Sequence, residues 1–190
     1  MRSKFKYVVF LIIVITSNQL HSQVTSLWNS DTSFYFYTSD SNAENLIATK
    51  VIFDSKLTKE KILDSVASYL SNTYFIPKHK YYEGKQKIII TIMDITLIDL
   101  PNRKYSIATV DIDDPDKICM GTYFQGSAGG RITFLMLVAN FMQPQLKYPL
   151  LDGLIILYNN TELKVMDHIN LEGLISEREI DDLVRHAVKY

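Results

Sequence analysis

The feature that most constrains the fold is the segment 126–143, GSAGGRITFLMLVANFMQ, in which a glycine-rich turn precedes an apolar run. Among residues 130–142, only Arg131, Thr133 and Asn140 are polar. A surface helix keeps a broad polar face, so this pattern predicts a helix that is covered on most sides, in the core or at an interface. At about 1.5 Å per residue such a helix reaches roughly 20 Å, which is too short for a bilayer.

The N-terminus has the pattern of a secretory signal peptide over residues 1–22. Three basic residues precede the apolar run 8–15, and a polar segment follows it. An uncleaved anchor is the alternative, but it requires a longer apolar run. No cysteine follows the run, so we expect no lipid attachment there. Cleavage after Ser22 predicts an exported, periplasmic or extracellular protein with no membrane span.

The charge balance excludes a nucleic-acid surface. The full chain has a net charge of −1, and removing residues 1–22 takes away three bases and no acids, which leaves −4. Nucleic-acid binding requires a basic stripe, which the sequence lacks. The length suits one domain, and the single Cys119 cannot form an internal disulfide. We interpret Cys119 as a small buried apolar residue.

Hydrophobic periodicity predicts an α+β fold. It consists of a mixed, mostly antiparallel sheet with the nearly all-apolar central helix and two amphipathic helices packed on it. A strand over 87–100 is long enough to predict a bend, or a division into two short strands, near Asp94. Residues 23–32 form a flexible leader, 33–175 the domain and 176–190 a C-terminal helix. Further strands are predicted at 33–37, 46–53, 105–112, 154–158 and around 163–166, and a further helix at 58–72.

The glycine-rich turn can be compared with two known functional loops, the nucleophile elbow and the phosphate loop. A nucleophile elbow requires glycine where Gln125 stands, and a phosphate loop requires Lys and then Ser or Thr where Arg131 and Ile132 stand. The remaining interpretation is a strand-to-helix corner in which Ser127 caps the helix. An anion held at the helix start by Ser127, Gly129 and Arg131 remains an alternative.

The acidic run from Asp111 to Asp116 is a second possible ligand site. Counted from Asp111, an EF-hand requires glycine and glutamate where Asp116 and Thr122 stand, so the calcium-loop pattern fails. A solvated loop is the interpretation, and calcium binding remains an alternative. The four histidines show no zinc spacing. The sequence therefore predicts no cofactor, no metal and no catalytic residue.

Several stretches resemble the GerMN domain family, which also occurs in envelope lipoproteins. They are FYFYTSDSNAENLIATKVIF, KEKILDSVASYL, IATVDID, GSAGG with the apolar helix, and DGLIILYNN, and together they cover roughly residues 33 to 175. The chain departs from the family at Asn159 and Asn160, where relatives have glycine in a turn. The resemblance implies a ring-building-motif-like α+β domain that acts through protein contacts and not through catalysis.

These observations predict an exported, non-enzymatic domain for protein–protein interaction or assembly in the cell envelope. Thr133, Met136, Leu137 and Asn140 share one side of the central helix and are the predicted partner face. The alternative is a protein that binds a cell-wall glycan or a small ligand, with Tyr81 and Tyr82 as a stacking platform.

Overall fold

The computed structural model describes residues 33–53, 57–76, 83–146, 149–162, 172–176, 180, 184 and 186–189. The predicted signal peptide, the leader, the strand around 163–166 and the Tyr81–Tyr82 platform lie outside these residues. Within them, the predicted α+β class is confirmed, with mostly antiparallel strands and with helices. The strands form two separate sheets, whereas the sequence predicted one.

The elements are as follows in chain order: β1 (Ser33–Ser39), β2 (Leu46–Ile52), α1 (Lys59–Tyr69) continued by a π-helical turn (Leu70–Tyr74), β3 (Ile89–Leu100), β4 (Arg103–Asp113), α2 (Ile118–Thr122), α3 (Ser127–Met142), β5 (Gly153–Tyr158), β6 (Thr161–Glu162), β7 (Leu174–Ser176) and β8 (Val188–Lys189).

The first sheet has the strand order β1-β2-β8. The aromatic β1 and the alternating β2 form the predicted antiparallel hairpin, and β8 runs parallel to β2. In the loop between them, Asp40 accepts hydrogen bonds from the backbone N–H groups of Glu44 and Asn45 at 2.9 and 3.3 Å. A carboxylate that binds nearby N–H groups fixes a turn, so the loop has a defined shape.

The second sheet has the order β3-β4-β5-β6, and β7 pairs with the same edge of β5 as β6. The β3–β4 register shifts between Ile92 and Asp94, which confirms the predicted bend. Strand β5 pairs with β4 only from Ile107 to Ile112. Residues 97–100 and 103–106 therefore form a hairpin end that extends beyond β5.

Helix α3 is the central element, as predicted. The eight consecutive residues from 135 to 142 are all buried. Eight residues make more than two turns, so the helix is covered on every side over that length. It contacts β1 and β2 of the first sheet, β5 of the second sheet, and α1. The sequence predicted that this helix is covered either in the core or at an interface. In the structure, elements of the same chain cover it.

Two side-chain amides near the end of α3 bind the free edge of β1. Asn140 accepts a hydrogen bond from the N–H of Tyr37 at 3.1 Å and donates one to its carbonyl at 2.8 Å. Gln143 makes the same two bonds with Tyr35, at 2.9 and 2.7 Å. Exposed strand edges carry unpaired N–H and C=O groups, and these amides satisfy them as a neighbouring strand would. We call Asn140 and Gln143 the amide pair.

Two predicted helices differ from the structure at their ends, namely the central helix at its start and the C-terminal helix 176–190 at both ends. At the start of α3, Gly126 occupies the N-cap with φ of 73° and makes no side-chain cap hydrogen bond, so Ser127 is the first helical residue and not the predicted cap. The corner requires a left-handed conformation, which glycine adopts without strain. At the C-terminus, Ile180, Val184, His186 and Ala187 are helical, but Ser176 ends β7 and Val188–Lys189 pair with β2. Sheet pairing replaces both ends of the predicted helix 176–190.

Other local predictions are confirmed. Thr58 is the N-cap of α1 and accepts a hydrogen bond from the N–H of Lys61. Asn159 and Asn160 have φ of 49° and 61°, so asparagine adopts the left-handed conformation that this turn requires. Among the described residues, no helix combines the length and the apolar character that crossing a membrane requires.

The amide pair generates a stability prediction. We expect Asn140→Leu to lower the free energy of unfolding by about 2–4 kcal/mol, because each buried backbone group left unsatisfied costs about 1–3 kcal/mol. The measurement is urea denaturation followed by circular dichroism. The exposed Asn72, which bonds mainly within its own helix, provides the matched control. Asn72→Leu should change stability by less than about 0.5 kcal/mol, and equal losses in the two variants would contradict the role assigned to Asn140.

Candidate functional site

The predicted partner face lies inside the protein. Thr133, Met136, Leu137 and Asn140 are at most 2% exposed. The two polar members serve internal contacts: Asn140 binds β1, and the hydroxyl of Thr133 donates to the carbonyl of Tyr123 at 2.7 Å. These side chains are therefore not available to a partner, because packing on both sheets covers the side of α3 that periodicity alone left open.

The three residues of the predicted anion site do not form a cluster in the structure. Ser127 and Arg131 are exposed, and Gly129 is half-buried. The three lie near the start of α3, but only Gly129 lines a cleft, which is described below. The anion interpretation stays a prediction, and the geometry adds nothing to it.

The acidic run is divided among separate internal contacts. Asp111 is buried and accepts from the N–H of Asn160 at 2.8 Å. Asp116 accepts from the N–H of Gln86 and pairs with Lys85. Asp113 is exposed. Within the described ranges, no group of three or more acidic, histidine or cysteine side chains is placed to hold a metal. The predicted solvated loop is thus wrong for Asp111, whose carboxylate closes the turn after β5.

Asp114 organises the corner between β4 and α2. Its fully buried carboxylate accepts from the N–H groups of Ile118 and Cys119, at 2.8 and 2.6 Å, and from the hydroxyl of Tyr158 at 2.8 Å. A carboxylate that binds free amides at a helix start stabilises that helix, which explains how five residues form α2. Sequence periodicity missed α2 because it is barely longer than one turn.

The groups around Asp114 titrate abnormally. Burial raises the pKa of the Cys119 thiol well above its ordinary value, and the neighbouring Asp114 carboxylate adds to the shift. Burial also raises the pKa of the Tyr158 phenol, and its hydrogen bond to Asp114 raises that pKa further. Both groups therefore stay neutral at physiological pH. The structural interpretation of Cys119 is confirmed by its complete burial.

Cys119 generates a reactivity prediction. In the native protein at a pH of about 8, we expect it to resist a disulfide reagent, because only the exposed thiolate is nucleophilic. The measurement is absorbance after addition of Ellman's reagent, with and without guanidinium chloride. The denatured chain should release one equivalent rapidly. Reaction of the native protein at the rate of free cysteine would contradict this placement.

One cluster has the elements of nucleophilic catalysis. The ammonium of Lys59 donates to the hydroxyl of Ser106 at 2.8 Å, and Asp152 lies 3.2 Å from the same hydroxyl. Burial lowers the pKa of Lys59, while Asp152 and Glu60 raise it. However, Ser106 is only 5% exposed. Its backbone N–H also donates to the carboxylate of Asp152 at 2.8 Å. The geometry fits a polar link between the start of α1 and the second sheet.

The most unusual surface of the described residues is the edge of β3 that faces away from β4. The N–H of Ile90 donates there to the hydroxyl of Ser71 at 2.8 Å, and no strand pairs with this edge. This strand is twelve residues long and carries Met93, Leu97 and Leu100 with 51%, 69% and 54% of their surface exposed. Soluble proteins normally protect such an edge with lysine, proline or a short strand. Strand β3 contains only two charged residues, Asp94 and Asp99, and no base. We call β3 with its exposed side chains the open edge.

The apolar surface continues across the sheet face that points away from α3. Ile98 lies opposite Tyr105, and the next residue of β4 on that face is Ile107. Ile107 and Leu174 meet over Gly153, where a Cβ atom would lie 2.7 Å from Leu174 Cδ1 and 3.3 Å from Ile107 Cγ1. Glycine at this position lets the two side chains close over the strand. The open edge is therefore continuous with an apolar face.

The sequence pattern of β3 does not mark this strand as a functional surface. Its run KIIITIMDITLIDL reads as a strand, but an apolar strand can lie in the centre of a sheet or at its edge. Only strand order, which depends on contacts far apart in the chain, places it at the edge. The available signal was its unusual length together with the absence of bases.

Comparisons with known proteins give one weak match. No family model matches the chain, and no curated protein sequence matches it. A solved structure that matches is the 2.5 Å crystal structure described as a "Putative Lipoprotein from Clostridium perfringens". Its TM-score is 0.39 at 13% identity, over 86% of this chain and 97% of that chain. Such a TM-score does not establish a shared fold, and membership of the GerMN family stays a prediction.

Proposed function

We propose that this chain is an exported, non-enzymatic domain that binds a partner protein in the cell envelope through the open edge. The observation that carries the proposal is a twelve-residue edge strand with large apolar side chains exposed. A partner strand that pairs with such an edge gains a row of main-chain hydrogen bonds and covers apolar side chains at alternate positions. The GerMN resemblance and the signal-peptide pattern support the exported location and the role in assembly.

The chemistry of the edge favours a particular occupant. The charged residues of β3 are both acidic, and Asp99 also pairs with Lys104 at 3.4 Å across the hairpin. Asp94 accepts from the hydroxyl of Thr96 at 2.7 Å and faces solvent. Like charges directly opposite each other destabilise a strand pair. We therefore propose an extended partner segment with apolar residues and with lysine or arginine near Asp94, and not a second copy of β3.

The non-enzymatic assignment rests on the geometry of the polar groups. The Lys59–Ser106–Asp152 cluster is the closest approach to a catalytic arrangement in the described residues, and its serine hydroxyl is buried between two partners. A nucleophile has to reach substrate, so a buried and doubly bonded hydroxyl fits a structural role better.

Site-specific photocrosslinking tests the open edge. A benzophenone amino acid replaces Leu97 in the full-length protein, which is expressed with its own N-terminal segment in the organism that encodes it. Ile47 is the matched control, because it is also a large apolar strand residue with 44% exposure but lies in the first sheet. We expect a discrete adduct from position 97 and none from position 47. A strand that adds to β3 covers position 97, whereas position 47 lies in the other sheet.

The identity of the adduct decides the outcome. Mass spectrometry should map the crosslink to an apolar segment of another protein that contains a lysine or arginine. An adduct to a second copy, together with a dimer in sedimentation velocity, would contradict the proposed occupant. Equal adducts at positions 97 and 47 would contradict the proposed site.

A further inference from the structure

A cleft that shares no described lining residue with the open edge is the basis of a second proposal. It has a volume of about 480 Å³ and lies between the β1–β2 loop, the end of α1 and the start of α3. This volume falls within the range of about 300–1,000 Å³ that is typical of small-molecule sites. Nine of the thirteen described residues that line it are Ser, Thr or Tyr, and Asp40 is the only charged one among these thirteen. We propose that this cleft binds a neutral saccharide.

One wall of the cleft is aromatic and rigid. The rings of Tyr74 and Tyr123 lie 5.5 Å apart. The hydroxyl of Tyr123 donates to the carbonyl of Ile76 at 2.9 Å, and the carbonyl of Tyr123 accepts from Thr133. Tyr69 packs on Phe36 at 4.1 Å between ring centroids. Fixed tyrosine rings give a sugar an apolar surface to pack on while their polar ends stay near water.

The other wall is polar and belongs to the end of β1 and the β1–β2 loop. The hydroxyl groups of Thr38, Ser39 and Ser41 have no hydrogen-bond partner in the part of the chain that the structure describes. Asp40 is oriented by the Asn45 amide, whose Nδ2 lies 2.7 Å from Asp40 Oδ2. Hydroxyl groups both donate and accept, so a wall of this kind complements the hydroxyl groups of a sugar.

The charge of the lining separates ligand classes. The described residues that line the cleft include no lysine, arginine or histidine, so this part of the lining offers an anion no cation. The hydroxyl groups would be left unsatisfied by an apolar ligand, which costs binding energy. Asp40 leaves an organic cation as the competing class, and the test below includes one. The site is separate from the open edge, so each proposal can fail without the other.

Gly129 offers a way to block the cleft without disturbing the fold. A Cβ atom added there would meet only the carbonyl oxygen of Tyr123, at 4.0 Å. Gly129 is helical, so a leucine suits the backbone and its side chain would extend into the cleft. Ala128 is the matched control, because it is the preceding helical residue, is exposed and does not line the cleft.

Ligand-detected NMR on the full chain tests the proposal. The probes are glucose, galactose, N-acetylglucosamine and their disaccharides, with tetramethylammonium and phosphate as competing classes. We expect saturable binding of at least one saccharide, weakened at least tenfold by Gly129→Leu and unchanged by Ala128→Leu. Circular dichroism checks that both variants are folded, and Leu97→Lys should leave saccharide binding unchanged.

Three results would overturn the inference. They are binding of tetramethylammonium or phosphate without any saccharide, saccharide binding that Gly129→Leu leaves intact, and no binding by any probe. If Gly129→Leu fails to fold, Thr38→Leu replaces it, since Thr38 lines the cleft from the opposite wall. The same tenfold loss is then expected, and its absence overturns the inference.

Discussion

The hydrogen bonds between the side chains of Asn140 and Gln143 and the backbone of β1 fix helix α3 against the first sheet. They fix the end of α3 to Tyr37 and Tyr35 through four bonds of 2.7 to 3.1 Å. The helix also contacts β5, so the same element joins the two sheets. A strand edge that would otherwise expose its N–H and C=O groups is thereby closed by side chains of its own chain.

The contrast with β3 follows from this arrangement. Both β1 and β3 are edge strands, but α3 binds β1 from the side, whereas the cover of β3 in the described residues is limited to its start, where the N–H of Ile90 donates to the hydroxyl of Ser71 at 2.8 Å. An apolar strand left at an edge tends either to pair with another strand or to aggregate. The open edge and the apolar face behind it are therefore where association is expected, and the buried face of α3 is not. The cleft lies between the start of α3 and the end of β1.

Much of the fold could be predicted from the local sequence pattern, but the candidate binding surfaces could not. The apolar run after Gly126 predicts a central helix, and the length of 87–100 predicts the bend near Asp94, because each depends on periodicity within one element. The predicted partner face is buried in the structure. Periodicity places Asn140 on one side of the helix, but it does not indicate which element of the chain packs against that side. The partner of Asn140 is Tyr37, more than one hundred residues away. Strand order and the cleft depend on the same kind of distant contact.

Hydrogen exchange measured by NMR on the free protein tests this account most directly, because it reports each strand edge separately. The backbone amides of Tyr35 and Tyr37 should exchange as slowly as amides inside the sheet, since the amide pair protects them. Apart from the Ile90 amide, which donates to Ser71, the amides of β3 that point away from β4 should exchange rapidly and become protected when the partner binds. Rapid exchange at Tyr35 and Tyr37, or protection of the outward β3 amides in the free protein, would contradict the claim that the chain closes one edge and leaves the other open.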